Sequence, residues 1–173
     1  MRVRDAVAGD AEGIARIYND AVLTTTAILN EGTVNAENRT GWMEMRRGQG
    51  YPVLVAEHEG RVIGYASFGD WRPFDGFRAT VEHSVYVAAE ARGQGVARAL
   101  MAELTARARG CGKHVMVAAV TSENEASLRL HRALGFREAA VLTEVGQKFG
   151  RWLDLVFLEL RLDDRAQPEQ RKA

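Results

Sequence analysis

A single cysteine, Cys111, stands among the 173 residues of this chain. One thiol excludes an internal disulfide and fits a reducing compartment. It lies in Gly110-Cys111-Gly112-Lys113, where no neighbouring motif would stabilise a thiolate, and it reads as structural. No apolar run approaches the ~18 residues a membrane-spanning helix needs. The first residues, Met1-Arg2-Val3-Arg4-Asp5, lack the pattern of a secretory leader. The cytoplasm is therefore the expected location. Neither sign of charge is in excess, because 23 basic side chains balance 23 acidic ones. That balance argues against a general binder of nucleic acid or anionic membrane. No internal repeat and no linker is visible. One domain is expected over residues 1–163, with a polar tail, 164–173, expected to be disordered.

What is present centres on one stretch. Val81-Glu82-His83-Ser84-Val85-Tyr86-Val87 is β-branched and aromatic with alternating apolar positions, which predicts a strand. After Ala88–Ala91 comes Arg92-Gly93-Gln94-Gly95-Val96-Ala97-Arg98, and then a run of strong helix formers to Arg109. Glycines at the mouth of a helix allow a ligand close to the backbone and leave N–H groups unpaired. With the helix dipole, those donors make a phosphate-sized anion site. No Gly-Lys-Ser/Thr follows, so the loop is not a Walker A. The third glycine of the dinucleotide fingerprint is also missing. The stretch does fit Arg/Gln-x-x-Gly-x-Gly/Ala, through Arg92, Gly95 and Ala97.

Elsewhere the pattern gives a first strand at Arg2–Arg4 and a helix capped by Asp10. That helix carries Ile14, Ile17, Tyr18, Val22 and Leu23 on one face. Thr24-Thr25-Thr26 ends it, and Ala27–Glu31 is a connector able to line a pocket. Asn35 caps a second helix bearing Trp42, Met43 and Met45, which Gly48-Gln49-Gly50 stops. Tyr51–Glu57 and Arg61–Phe68 pair as a hairpin about Glu59-Gly60. Gly69–Arg78 is a loop dense in aromatics and arginines. Lys113–Val120 is a buried central strand, Asn124–Leu134 a helix, and Phe136–Glu144 and Gly150–Arg161 the last strands. The order is β-α-α-β-β-β-α-β-α-β-β.

A second motif lies in Asn124-Glu125-Ala126-Ser127-Leu128-Arg129-Leu130-His131-Arg132-Ala133-Leu134-Gly135-Phe136. Asn124, Ser127 or Leu128, and His131 share one helical face. The glycine loop, this motif and the element order together resemble the GCN5-related N-acetyltransferases (GNAT). The resemblance covers essentially the whole chain. It implies an α/β (α+β) fold whose mixed, mostly antiparallel sheet of about seven strands is flanked by four helices. Two strands of such a sheet splay apart to admit acetyl-CoA, the implied co-substrate. Residues Arg92, Gly93, Gln94, Gly95, Val96, Ala97 and Arg98 would hold its diphosphate. The backbone of Val85, Tyr86 and Val87 would pair with its pantetheine arm. Asn124, Ser127 and Ala133 would also contact it, and no metal is implied. The family usually places a tyrosine, as proton donor to the leaving thiolate, where this chain has His131. His131 either takes that role or packs beneath the cofactor.

Direct attack by an amine needs a base and a donor for the oxyanion. Glu82 is the candidate base, because a carboxylate in an otherwise apolar strand is costly unless it faces a cleft or is paired. The bland alternative is a salt bridge to Arg72 or Arg78. His83 points to the opposite face. The run Gly69-Asp70-Trp71-Arg72-Pro73-Phe74-Asp75-Gly76-Phe77-Arg78, with Ile17–Val22 and Val145–Asp154, resembles the phosphinothricin and methionine sulfoximine acetyltransferases within the family. That likeness implies acetylation of the α-amino group of a small amino-acid analogue. Arg72 or Arg78 would grip its carboxylate, and Phe74, Phe77 and Trp71, with Asp75 and Gly76 in the same loop, would wall its stem. Leu29 stands where such relatives place an aromatic, which widens the pocket. The likeness also implies a homodimer with Lys148–Trp152 near the partner. Two competing expectations are the same fold acting on a polyamine, aminoglycoside or peptide N-terminus, and a non-catalytic acyl-CoA sensor.

Overall fold

Strong alternation and β-branching in the sequence become one seven-stranded sheet. The strands are β1 (Arg2–Asp5), β2 (Val53–His58), β3 (Arg61–Asp70), β4 (Thr80–Val87), β5 (Val115–Thr121), β6 (Arg137–Lys148) and β7 (Arg151–Arg161). Their spatial order is β1-β2-β3-β4-β5-β7-β6. Every neighbouring pair is antiparallel except β4 and β5, which run parallel. The helices are α1 (Ala11–Thr24), α2 (Ala36–Gly48), α3 (Val96–Gly110) and α4 (Glu125–Ala133). The computed structural model describes residues 1–168, so residues 169–173 of the expected tail lie outside it. Just after β7, Arg165 donates from Nε to Asp163 and from Nη2 to the Gly112 carbonyl. Among the described residues no helix is long and apolar enough to cross a membrane.

Both faces of the sheet are covered at its centre. α1 and α2 lie over one face, where Tyr65 meets Trp42 edge-on at 6.0 Å and Tyr86 at 5.3 Å. On the other face Val96 and Leu100 of α3 press so close to Gly64 that an added Cβ would stand 2.9 Å from Val96 Cγ1. Ile14, Ile17, Tyr18 and Val22 of α1 are buried as their spacing predicts, whereas Leu23 is exposed. On α2 only Met43 of the two methionines is buried. Asn35 caps α2 by accepting from the Asn38 N–H at 2.9 Å.

Three local expectations are corrected. Asp10 gives α1 no side-chain cap, because its carboxylate accepts instead from Arg4 and from the Val7 N–H. β3 runs on through Asp70, since Gly69 and Asp70 still pair with Glu82 and Val81. β6 does not stop at Glu144. After an irregularity between Leu142 and Gly146, pairing with β7 resumes as Gly146–Leu153, Gln147–Trp152 and Lys148–Arg151.

The feature that makes a site is where pairing stops. β4 and β5 are joined only from Thr80–Val115 to Glu82–Val117. Beyond that point β4 stays with β3 as far as Val87–Gly64, and β5 stays with β7 as far as Thr121–Leu155. The two strands therefore part, and the β5-facing edge of β4 from His83 to Val87 is open. This is the splay that the sequence resemblance implied.

Candidate active site

The opening holds a cleft of about 330 Å3. Its walls are β4 from Glu82 to Tyr86, β5 from Ala118 to Thr121, the α1–α2 connector from Thr26 to Asn30, and Asn124, Ser127 and His131 of the α4 region. Alternation along β4 divides its side chains between the two faces of the sheet. Glu82, Ser84 and Tyr86 turn toward α1 and α2, while His83 and Val85 turn toward α3 and α4.

Glu82 is half-buried and makes no ion pair or hydrogen bond among the described residues. Burial raises its carboxyl pKa above the usual value, and the Arg72 charge opposes the rise only in part. Neither expected salt-bridge partner engages it. Arg72 lies over the Trp71 ring at 5.0 Å, and Arg78 donates to the Asp75 carbonyl at 3.0 Å. A carboxylate in a cleft with raised proton affinity and no fixed partner is equipped to accept a proton.

The two histidines form a closed pair. His131 Nδ1 lies 2.7 Å from the Ser127 carbonyl, and His131 Nε2 lies 3.0 Å from His83 Nε2. A carbonyl only accepts, so Nδ1 of His131 carries the proton and its Nε2 accepts from His83 Nε2–H. His83 Nδ1 is then bare, and it is buried without a partner among the described residues. Burial lowers the pKa of both rings, that of His83 to about 3. Both imidazoles are therefore neutral near pH 7, and both nitrogens of His131 are occupied. In this arrangement each ring nitrogen of His131 is engaged within the protein. The stacked rings, capped edge-on by Phe136, tie α4 to β4. Sequence reasoning set His83 on the face away from Glu82, which is correct, but missed that this face belongs to α4.

At the mouth of α3, Gly93 and Gly95 take left-handed φ angles of 75° and 79°. An added Cβ would meet no neighbour at either position, so glycine serves the backbone conformation rather than space. The first helical bond of α3 runs from Ala99 N–H to Gly95 O, and no acidic side chain lies in the first turn. The preceding N–H groups and the positive end of the dipole are thus left for an anion.

Residues 14–136 match the model of the Acetyltransferase (GNAT) family. The chain belongs to this family. It is 57% identical to the L-amino acid N-acyltransferase MnaT of Escherichia coli (strain K12), over 98% of both chains. It is 56% identical to an L-methionine sulfoximine/L-methionine sulfone acetyltransferase of Salmonella typhimurium, over 98% of this chain and 99% of that one. A Salmonella typhimurium acetyltransferase solved with its cofactor acetyl-CoA superposes with a TM-score of 0.95 at 56% identity, over 97% of each chain.

In this GNAT chain the residues present suit acetyl-CoA. The open edge of β4 offers main-chain partners to an extended arm, and the loop after it offers N–H groups to a diphosphate. Val85 and Tyr86 line the cleft, and Val87 lies one residue beyond the lining. Arg92 is braced by the Val87 carbonyl and Asp20, each at 3.4 Å, and Gln94 by the Glu90 carbonyl at 3.0 Å. Val96 is buried, Ala97 half-buried and Arg98 exposed. Asn124 caps α4 by accepting from the Ser127 N–H at 3.1 Å, and both residues also line the cleft. Ala133 is exposed at the far end of α4, away from the lining.

The aromatic loop is placed differently from the connector. Phe77 N–H donates to the Phe74 carbonyl and Arg78 N–H to the Asp75 carbonyl, so Asp75–Phe77 folds as one 3-10 turn. The turn projects Phe74 outward at 67% exposure, and Phe77 packs edge-on against Trp71. Gly76 and Arg78 line a separate cleft with Cys111, His114 and Arg165. None of Arg72, Phe74, Asp75, Gly76, Phe77 and Arg78 lines the cleft that contains Glu82. Arg72 alone among them acts electrostatically on Glu82. The connector expected to line a pocket supplies five of the lining residues instead.

Proposed function

We propose that this protein acetylates the α-amino group of a small amino-acid analogue of the methionine sulfone and sulfoximine kind, phosphinothricin included, using acetyl-CoA. The observation that carries the proposal is the unpaired, half-buried Glu82 at the point where β4 and β5 part. The names of the two relatives at 56–57% identity support the substrate class. Acetyl-CoA supplies the activated acetyl thioester. Glu82 takes a proton from the substrate ammonium, directly or through one water, so that a neutral amine attacks the thioester carbonyl; the C–S bond breaks and coenzyme A leaves as a thiolate that takes up the proton the new amide nitrogen sheds. The N–H groups of Gly93 to Arg98 hold the diphosphate, and the open edge of β4 orients the arm. The His83–His131 pair fixes the α4 wall that carries Asn124 and Ser127. Arg72 is the guanidinium assigned to the substrate carboxylate, because its charge is the one that acts on Glu82.

The protein works as a homodimer in the cytoplasm under this proposal. An exposed apolar strip of Val141, Leu142, Val145, Phe149 and Trp152 on the β6–β7 edge supports the pairing. The lone cysteine supports a reducing compartment. The test is thiol release from acetyl-CoA across an amine panel. Methionine sulfone and sulfoximine should be turned over and polyamines should not. Release no faster with any small amino-acid analogue than without amine overturns the proposal.

A further inference from the structure

The connector between α1 and α2 has no regular secondary structure, yet Thr26 to Asn30 form one wall of the cleft. Its position is set from the far edge of the sheet. Lys148 on β6 is only 2% exposed, and its ammonium donates to the carbonyls of Thr25 at 2.8 Å and Ile28 at 2.5 Å. It forms no salt bridge among the described residues. A lysine near a surface hairpin could extend its charge into water at little cost. Here the charge is buried and its hydrogen bonds go to the connector backbone, an arrangement costly to keep unless it fixes that backbone.

Two residues earlier, on the same side of β6, stands Gly146. A Cβ there would come 2.8 Å from Leu29 Cδ1. Leu29, which lines the cleft, therefore rests its side-chain tip directly on the Gly146 backbone, and a methyl group there would make that tip shift. A third tether reaches the wall from β7, where Arg151 binds Glu123 and Glu123 accepts from Thr26 Oγ1 at 2.8 Å. Neither Gly146 nor Lys148 lines the cleft itself.

We propose that Gly146 and Lys148 set the amine selectivity of the cleft from behind: Lys148 positions its outer wall through the carbonyls of Thr25 and Ile28, and Gly146 fixes how far Leu29 protrudes. The proposal rests on the acetyl-transfer reading for its selectivity readout but not for its structural one. Replacing Lys148 by methionine keeps the stem and removes the donors. Replacing Gly146 by alanine drives Leu29 toward the cleft and shortens the amine it accepts.

The test combines hydrogen exchange on the full-length protein with steady-state kinetics. K148M should speed exchange of the connector amides about tenfold, the worth of one to two hydrogen bonds, while β4 amides stay protected. Its KM for methionine sulfone should rise about tenfold, with the acetyl-CoA KM within about twofold. G146A should raise KM for methionine sulfone more than for alanine, and the double variant L29A/G146A should restore the wild-type ratio. Unchanged connector exchange in K148M overturns the role of Lys148, and an unchanged ratio in G146A overturns that of Gly146. Should K148M fail to fold, Lys148→Arg, which keeps donors but alters their reach, must raise the amine KM without moving that of acetyl-CoA, or the proposal fails. A wild-type protein inactive on every amine sinks the acetyl-transfer reading instead, while connector exchange in K148M and G146A still decides the wall.

Discussion

Among the described residues Glu82 is a carboxylate held in a cleft without a cation to pair with, unlike three other acidic residues near the site. Glu123 has Arg151, Asp20 has Arg92 and Glu90 has Arg16. Glu82→Gln should lower kcat/KM for the amine by about 10^2 to 10^3, the usual worth of a general base, with acetyl-CoA binding unchanged by calorimetry. Because burial raises the Glu82 pKa, the acidic limb of the kcat/KM profile should lie above the ordinary carboxylate range. Activity should fall as pH drops through it, because only the deprotonated form accepts a proton. The histidine pair carries a stability prediction of its own. Each ring has a lower pKa in the folded protein, so the unfolded chain takes up protons first as pH falls below about 6.5. Their stabilisation is complete above that value and is lost on the way down, toward about 3 for His83. His83→Leu removes one of the two titrations. Between pH 7 and pH 5 the melting temperature of the wild type should drop a few degrees more than that of this variant, for a linkage of roughly 1–2 kcal/mol. Parallel pH dependences would show that the pair does not bear on stability.

At the scale of elements, the turn into α3 and the parting of β4 from β5 make the binding path. Gly95→Ala forces a side chain into a left-handed backbone at φ 79°, which should cost about 1–2 kcal/mol of stability. It should also raise the acetyl-CoA KM about tenfold while leaving the amine KM alone, a split that separates damage at the loop from general unfolding. The sequence carried most of this level. Periodicity and caps specified all seven strands, all four helices and their order, because β-branched alternation and amphipathic spacing are local signals. It carried less where geometry depends on distant partners. β6 was expected to end at Glu144, since an irregular ladder looks like a loop until β7 is seen to resume its pairing at Gly146. The Gly69–Arg78 loop was expected to wall the substrate because its residue types suit a carboxylate and a methylene stem. Composition does not say which way a turn points, and this one points Phe74 into solvent and Arg78 to another cleft. The place of Glu82 in the cleft was legible because an acid in an apolar strand is costly unless it faces an opening, whereas its missing partner and the contact of His83 with His131 depend on tertiary packing.

Across the whole molecule, β6 is the unprotected end of the sheet. Among the described residues it pairs only with β7, and nearly all of its length is exposed. A long edge bearing apolar side chains invites association unless something covers it. Val141, Leu142, Val145, Phe149 and Trp152 are all more than 40% exposed, and Trp152 is the most exposed of them at 65%. An exposed tryptophan is the kind of residue that can carry much of an interface's energy, commonly about 2 kcal/mol or more. Trp152→Glu adds the desolvation of a charge and should weaken self-association at least about a hundredfold, so light scattering after gel filtration should find a dimer for the wild type and a monomer for the variant at micromolar concentration. The same hairpin carries Gly146 and Lys148, whose contacts hold the cleft wall at Leu29, Thr25 and Ile28. Association at this edge would therefore stiffen the wall that selects the amine. The monomeric variant should show a raised KM for methionine sulfone at an unchanged KM for acetyl-CoA, and a monomer with wild-type values for both would show that assembly and selectivity are independent.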